Sequence, residues 1–242
     1  MNDCESSTRV ASACRYAAFL APSLDSAWWR AGSRWLGRDA ASETALVQPA
    51  LQGISTSDQQ RLTSAPRRYG WHATLKAPFA LASSIELSTL RSGLDHICQV
   101  WAPFTMASLE VVLLDDFLVL APHGDASAVN ALAGACVTGL HAFAAPLSPG
   151  ELARRRSAGL SAEEDALLVR WGYPFVLSRF RFHFTLTGSL RNTSPETILA
   201  LKAAAAQWFG ALPPCRFEAV SLFVEPRPDA DFVCMEQIRL GL

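Results

Sequence analysis

Arg179-Phe180-Arg181-Phe182-His183-Phe184-Thr185-Leu186-Thr187-Gly188 alternates strictly between polar and apolar residues. A period of two belongs to a β-strand, whose successive side chains point to opposite faces. Arg179, Arg181, His183, Thr185 and Thr187 would share one face, and Phe180, Phe182, Phe184 and Leu186 the other. A strand of this kind packs its oily face on a core and turns its polar face to a cleft or to water. An earlier stretch, Arg68-Tyr69-Gly70-Trp71-His72-Ala73-Thr74-Leu75-Lys76, repeats the phrase. Arg68, Gly70, His72, Thr74 and Lys76 would share its polar face. Both copies read His-x-Thr-Leu, with cations on the side that carries the histidine.

The repetition extends beyond the two phrases themselves. After the first copy come Ser83-Ser84-Ile85-Glu86, a capping-box pattern, and Leu87, Leu90, Leu94, Ile97 and Trp101 at helical spacing. Strands at about 104–113 and 117–121 then form a hairpin turning on Asp115-Asp116. After the second copy come Ser194-Pro195-Glu196, a cap residue before a first-turn proline, then Ile198, Leu201, Ala205 and Trp208. Strands at about 216–224 and 232–240 close that unit. His72 to Pro103 and His183 to Pro214 are both 31 residues. The expectation is an internally duplicated α+β fold, bilobal, with a central cleft between antiparallel sheets. The chain 1–242 reads as one bilobal domain. Residues 14–122 make a first lobe, 123–172 a mainly helical connection and 173–242 a second lobe.

Before the first copy, residues 1–13 read as a loose tail, 15–21 as a strand closed by Pro22, and Leu24, Trp28, Trp35 and Leu36 as an amphipathic helix ending near Gly37. A small helix is expected near 57–62. Between the copies, helices are expected near 126–143 and 162–171, with Pro146, Pro149 and Gly150 as punctuation. The triplet Arg154-Arg155-Arg156 is either a solvated face or a phosphate-facing patch on a covering segment.

Twenty-one basic against 22 acidic residues give no whole-molecule attraction to nucleic acid or anionic membrane. Any anion site must be local. Half the residues are hydrophobic, enough for a sizeable core. The six cysteines form no Cys-x-x-Cys pair and read as reduced core residues. The amino terminus lacks the basic-then-apolar order of a secretion signal, and no stretch reaches the ~18–20 apolar residues of a membrane span. The expectation is a soluble cytoplasmic protein.

Two histidines in matched frames satisfy the requirement of general acid–base chemistry: one holds a proton while the other lacks it. Thr74 and Thr185, one strand period along, are placed to donate to phosphate oxygens, and Arg68, Lys76, Arg179 and Arg181 offer charge-assisted donors. Two imidazoles without Asp, Glu or Cys on the same faces fall short of a zinc ligand set, so neither metal nor other cofactor is expected. His96, His123 and His141 read as structural or surface residues. Tyr173, just before the second copy, reads as turn packing or as a roof over the cleft.

The paired His-x-Thr-Leu strands, with Arg68–Lys76 and Phe180–Gly188 around them, resemble the two-histidine (2H) phosphoesterase superfamily. The opening Arg15–Pro22 and the Trp-rich helix look like one bacterial branch of it, associated with phosphonate metabolism. The resemblance implies hydrolysis or ligation at cyclic or 2′-5′ phosphodiesters, with His72 and His183 catalytic and Thr74 and Thr185 binding phosphate. Arg68, Lys76, Arg181 and Tyr16 are further candidates for substrate contact, on face geometry alone, and Tyr173 is a candidate as a roof over the cleft. The leading expectation is a metal-independent cyclic phosphodiesterase acting on a small nucleotide- or sugar-derived cyclic phosphate. One rival is a 2′-5′ RNA ligase-like phosphodiesterase on RNA ends, against which the absence of an extended basic stripe counts. The other is a non-catalytic nucleotide- or phosphosugar-binding sensor. No extended nucleic acid and no membrane is expected as a partner. The sequence does not give the oligomeric state.

Overall fold

Each His motif is paired into a sheet with a hairpin that lies in the other half of the sequence or is reached across it. The computed structural model describes residues 14–157 and 159–241. The expected tail at 1–13 lies outside them. In chain order the elements are β1 (Arg15–Leu20), α1 (Ala27–Leu36), α2 (Thr56–Tyr69), β2 (Ala73–Ala80), α3 (Leu87–Cys98), β3 (Phe104–Thr105), β4 (Leu109–Leu114) and β5 (Phe117–Pro122). There follow α4 (Ser127–Gly139), α5 (Pro149–Arg156), α6 (Ala162–Trp171), β6 (Phe184–Thr185), α7 (Pro195–Gly210), β7 (Arg216–Phe217), β8 (Ala219–Glu225) and β9 (Val233–Arg239). One sheet runs β2-β1-β8-β9, a second β4-β5-β6, and β3 pairs with β7. All pairings are antiparallel, so the expected α+β class with antiparallel sheets is the observed one.

The lobes are not the contiguous halves 14–122 and 173–242. The first His strand, β2, shares its sheet with β8 and β9 from the second unit, and β6 pairs with β5 from the first, Val119 opposite Thr185. The units exchange hairpins, and one core runs through both. Exchange buries the oily faces of the two motifs against each other. Trp71, beside His72, stacks on Phe184, beside His183, with centroids 4.7 Å apart and planes 9° apart. Trp71 also stacks on Phe209 of α7, at 5.3 Å and 7°. Trp71 and Phe184 are both fully buried. Stacked aromatic pairs at this spacing are favourable beyond their area burial.

α1 closes the same core. Ser26 caps it by accepting from Trp29 N–H, and Gly37 ends it in the left-handed region at φ 79°. Trp35 Nε1–H donates to Leu186 O at 3.0 Å, tying α1 to the end of the second motif. Gly32 lies directly on Trp71: a Cβ there would stand 1.9 Å from Cδ2 of the indole.

Several local expectations change. The polar face running from Arg68 to Lys76 is broken, because α2 extends to Tyr69 and terminates at Gly70, whose φ of 78° turns the chain into β2. The Ser83–Glu86 capping box does not form: Glu86 is itself the cap residue of α3 and makes no side-chain cap bond. The β4–β5 turn does fall on Asp115-Asp116, with Asp115 at φ 54°. Pro149, read as punctuation, is a first-turn residue of α5, behind a Ser148–Glu151 capping box. The five described cysteines are free thiols, four of them buried. Among the described residues no helix is long and apolar enough to cross a membrane.

Candidate active site

The two sheets face each other across a cleft of about 560 Å³. β1 supplies Arg15 and Phe19 to its lining, β2 Thr74 and Leu75, the β4–β5 turn Asp115 and Phe117, and the second motif His183, Thr185 and Thr187. His72 lines the same cleft. A volume of this order suits a small ligand.

Each histidine is fixed in the same way. His72 Nδ1–H donates to Gly70 O at 2.9 Å, and His183 Nδ1–H donates to Arg181 O at 2.8 Å. In both, the partner is the carbonyl two residues earlier, so the bond is local to the motif. It selects the tautomer that leaves Nε2 with its lone pair. Thr74 Oγ1 lies 3.4 Å from His72 Nε2. Phe19 stacks on the His72 ring at 3.8 Å and holds its plane.

Burial pushes the His72 imidazolium down to about pKa 4, and the charge of His183 across the cleft adds to the effect. Both rings line the same cleft. His183 is also lowered, first by burial and then by Arg181, while the Asp115 carboxylate acts in the opposite direction.

The other candidates divide. Thr74, Thr185, Arg181 and Tyr173 line the cleft. Arg181 reaches Asp115 Oδ2 at 3.4 Å and is half exposed. Tyr173 packs edge-on to Phe175 at 5.7 Å. Three expectations are corrected. Lys76 is 4 % exposed and covered by α4; its Nζ donates to Val137 O at 3.4 Å and lies 5.1 Å from the Phe79 ring centre. Burial lowers its pKa to about 8. It shares a strand face with Thr74, but a helix sits where the cleft was expected to continue. Arg68 sits at the end of α2 and bonds Glu225 and Ala230 O instead of facing the cleft. Tyr16 is one residue out of phase: Arg15 and Phe19 point to the cleft, and Tyr16, opposite Phe79 and Val224, packs on the other face of β1.

Arg15 is therefore the cleft residue that the opening stretch hid. Glu225, fully buried, accepts from Arg15 and Arg68 together and from Asp229 N–H. Arg154 and Arg155 also line the cleft, whereas Arg156 turns away to Asp165. The triplet is thus divided between the cleft and the solvated surface. Among the described residues no group of three or more His, Cys, Asp or Glu is arranged to hold a metal ion.

A family model described as a protein of unknown function (DUF1045) matches residues 74–233. Two curated relatives are named ribose 1,5-bisphosphate phosphokinase PhnN. One, from Janthinobacterium sp. (strain Marseille), is 39 % identical over 227 residues, covering 93 % of this chain and 50 % of the relative. The other, from Laribacter hongkongensis (strain HLHK9), is 42 % identical over 218 residues, covering 90 % and 50 %. The chain spans about half the length of these relatives. Among solved structures, E. coli LigT complexed with NADP+ aligns over 96 % of this chain and all of its own, with 11 % identity and a TM-score of 0.40. A structure titled phosphoesterase aligns over 94 % of this chain and 99 % of its own, with 11 % identity and a TM-score of 0.38. Likenesses at that level are too remote to transfer a reaction.

Proposed function

Starting from this chain's membership of the DUF1045 family of proteins of unknown function, we propose that it is a metal-independent phosphoesterase of the two-histidine kind, hydrolysing a small nucleotide- or sugar-derived cyclic phosphodiester. The observation that carries the reading is the matched pair of His-x-Thr motifs on opposite walls of one cleft, each imidazole held through Nδ1 by its own backbone.

His72 is the general base. Burial and the opposing charge keep it neutral at pH 7, so its Nε2 lone pair takes a proton from the attacking water. His183, whose charged form burial disfavours in the empty cleft, becomes the acid once the anionic phosphate is bound, and protonates the departing ribose oxygen. A bound phosphate, itself anionic, raises the proton affinity of both rings and suits this division. Water oxygen joins phosphorus, the ring P–O bond breaks, and the product is an acyclic phosphate monoester. Thr74 and Thr185 hydroxyls and the Arg181 guanidinium stabilise charge on the equatorial oxygens. Relatives named for a kinase acting on a ribose bisphosphate support a phosphorylated ribose as the substrate class and are consistent with a place in phosphonate metabolism.

The test is incubation with a 2′,3′-cyclic nucleotide, with and without EDTA, followed by chromatography. A phosphate monoester product, formed equally in both, is expected. Binding without turnover across several pH values would instead identify a sensor.

A further inference from the structure

We propose that the cleft carries a second anion subsite, formed by Arg154 and Arg155 of α5 with Arg15 and Tyr173, which takes a phosphate monoester elsewhere on the same small substrate. The proposal rests on the reading of the histidine end as the place of the reacting phosphate, and it names the substrate class as doubly phosphorylated.

Four guanidiniums border this part of the cleft or stand behind it: Arg15, Arg68, Arg154 and Arg155. Arg15 and Arg68 share the single carboxylate of Glu225. Among the described residues Arg154 and Arg155 have no ion-pair partner at all. Arg155 is the informative one. Its guanidinium lies over the Tyr173 ring at 5.7 Å, it lines the cleft, and its Nε is buried without a hydrogen-bond acceptor. A buried charged donor left without an acceptor is costly. An anion in the cleft would supply it.

Cations near a helix C-terminus also complement the helix dipole. That accounts for Arg156, exposed and bonded to Asp165, and would be served equally by a solvated Arg155. It does not account for a half-buried guanidinium laid over a tyrosine and directed to the cleft. The charged groups acting on Arg155 are Glu151 and Arg154 of its own helix, Arg15 of β1, and the Tyr173 hydroxyl. Glu151 is already engaged in the Ser148 capping box. The positive charge of this end is therefore only partly offset, by the Glu151 carboxylate on the same helix. Arg155 rests on Tyr173, whereas His72 rests on Phe19 and Tyr69.

The test is calorimetric titration with adenosine 2′-monophosphate and adenosine 2′,5′-bisphosphate. Both are acyclic monoesters, so the result is independent of turnover. A phosphate meeting two guanidiniums should make the bisphosphate bind about 10- to 100-fold more tightly. Arg155→Gln should bring the two affinities together, while Arg156→Gln keeps them apart. Equal affinities in the native protein, a preference that survives Arg155→Gln, or failure of both nucleotides to bind would overturn the proposal. Hydrolysis of a cyclic nucleotide combined with any of those results would leave the catalytic reading standing and remove this one.

Discussion

His72 makes acid instability of the fold measurable at a single residue. Its ring is placed between Phe19 and the cleft, and its pKa falls from 6.5 to about 4 on folding. The native ring releases its proton more readily than the unfolded one, so unfolding takes up a proton between those values. The stabilisation is fully present above about pH 6.5 and is lost as the pH falls toward 4. At about 1.36 kcal/mol per pH unit, the whole contribution is roughly 3 kcal/mol, of which about 2.5 kcal/mol is gone by pH ~4.5. Urea unfolding of the native protein and of His72→Gln, each at pH 7 and 4.5, isolates it. Other titrating groups affect both proteins, and the difference of differences belongs to His72. The native protein should lose about 2.5 kcal/mol more than the variant between the two pH values. An equal loss in both would refute the reasoning, as would an imidazole NMR signal of His72 titrating near the ordinary value.

Trp71→Ala should cost about 3–5 kcal/mol in urea unfolding, since it empties the stack between Phe184 and Phe209. Gly32→Ala pushes a methyl group into the same indole and should cost about 1–3 kcal/mol while lowering turnover, because the displaced residue adjoins His72. Glu225→Gln leaves Arg15 and Arg68 without their shared carboxylate. Both are partly exposed and can rehydrate, so the cost should be about 3 kcal/mol, or a melting temperature lower by roughly 6 °C in a chain of this length. Turnover, once detected, should be unaffected by chelators, since the cleft presents imidazoles, hydroxyls and guanidiniums rather than a metal ligand set.

The second motif is legible in the sequence because its alternation survives folding. Phe182, Phe184 and Leu186 are buried, and His183 and Thr185 face the cleft, although only Phe184–Thr185 pairs as a strand. The first motif misleads at both ends for physical reasons. Gly70 permits a left-handed turn that places Arg68 on a helix, and α4, distant in sequence, covers Lys76. Neither event leaves a mark in a two-residue period. Tyr16 is missed by one step of register, the error to which strands are most sensitive. Its neighbour Arg15 is the residue that reaches the cleft. The hairpin exchange is invisible because a two-residue period states which face a strand buries and not which hairpin pairs with it. The arginines of α5 are conspicuous in the sequence, but only the fold shows that Arg155 turns inward and Arg156 outward.

The central claim is that His72 and His183 act together on one phosphoryl group. The most direct measurement is kcat/KM for a 2′,3′-cyclic nucleotide with the native protein, His72→Ala and His183→Ala, each confirmed folded by its melting curve. The account predicts a loss of about 10²–10⁴ in either variant and no comparable further loss in the double variant. Near-native rates in both single variants would contradict it.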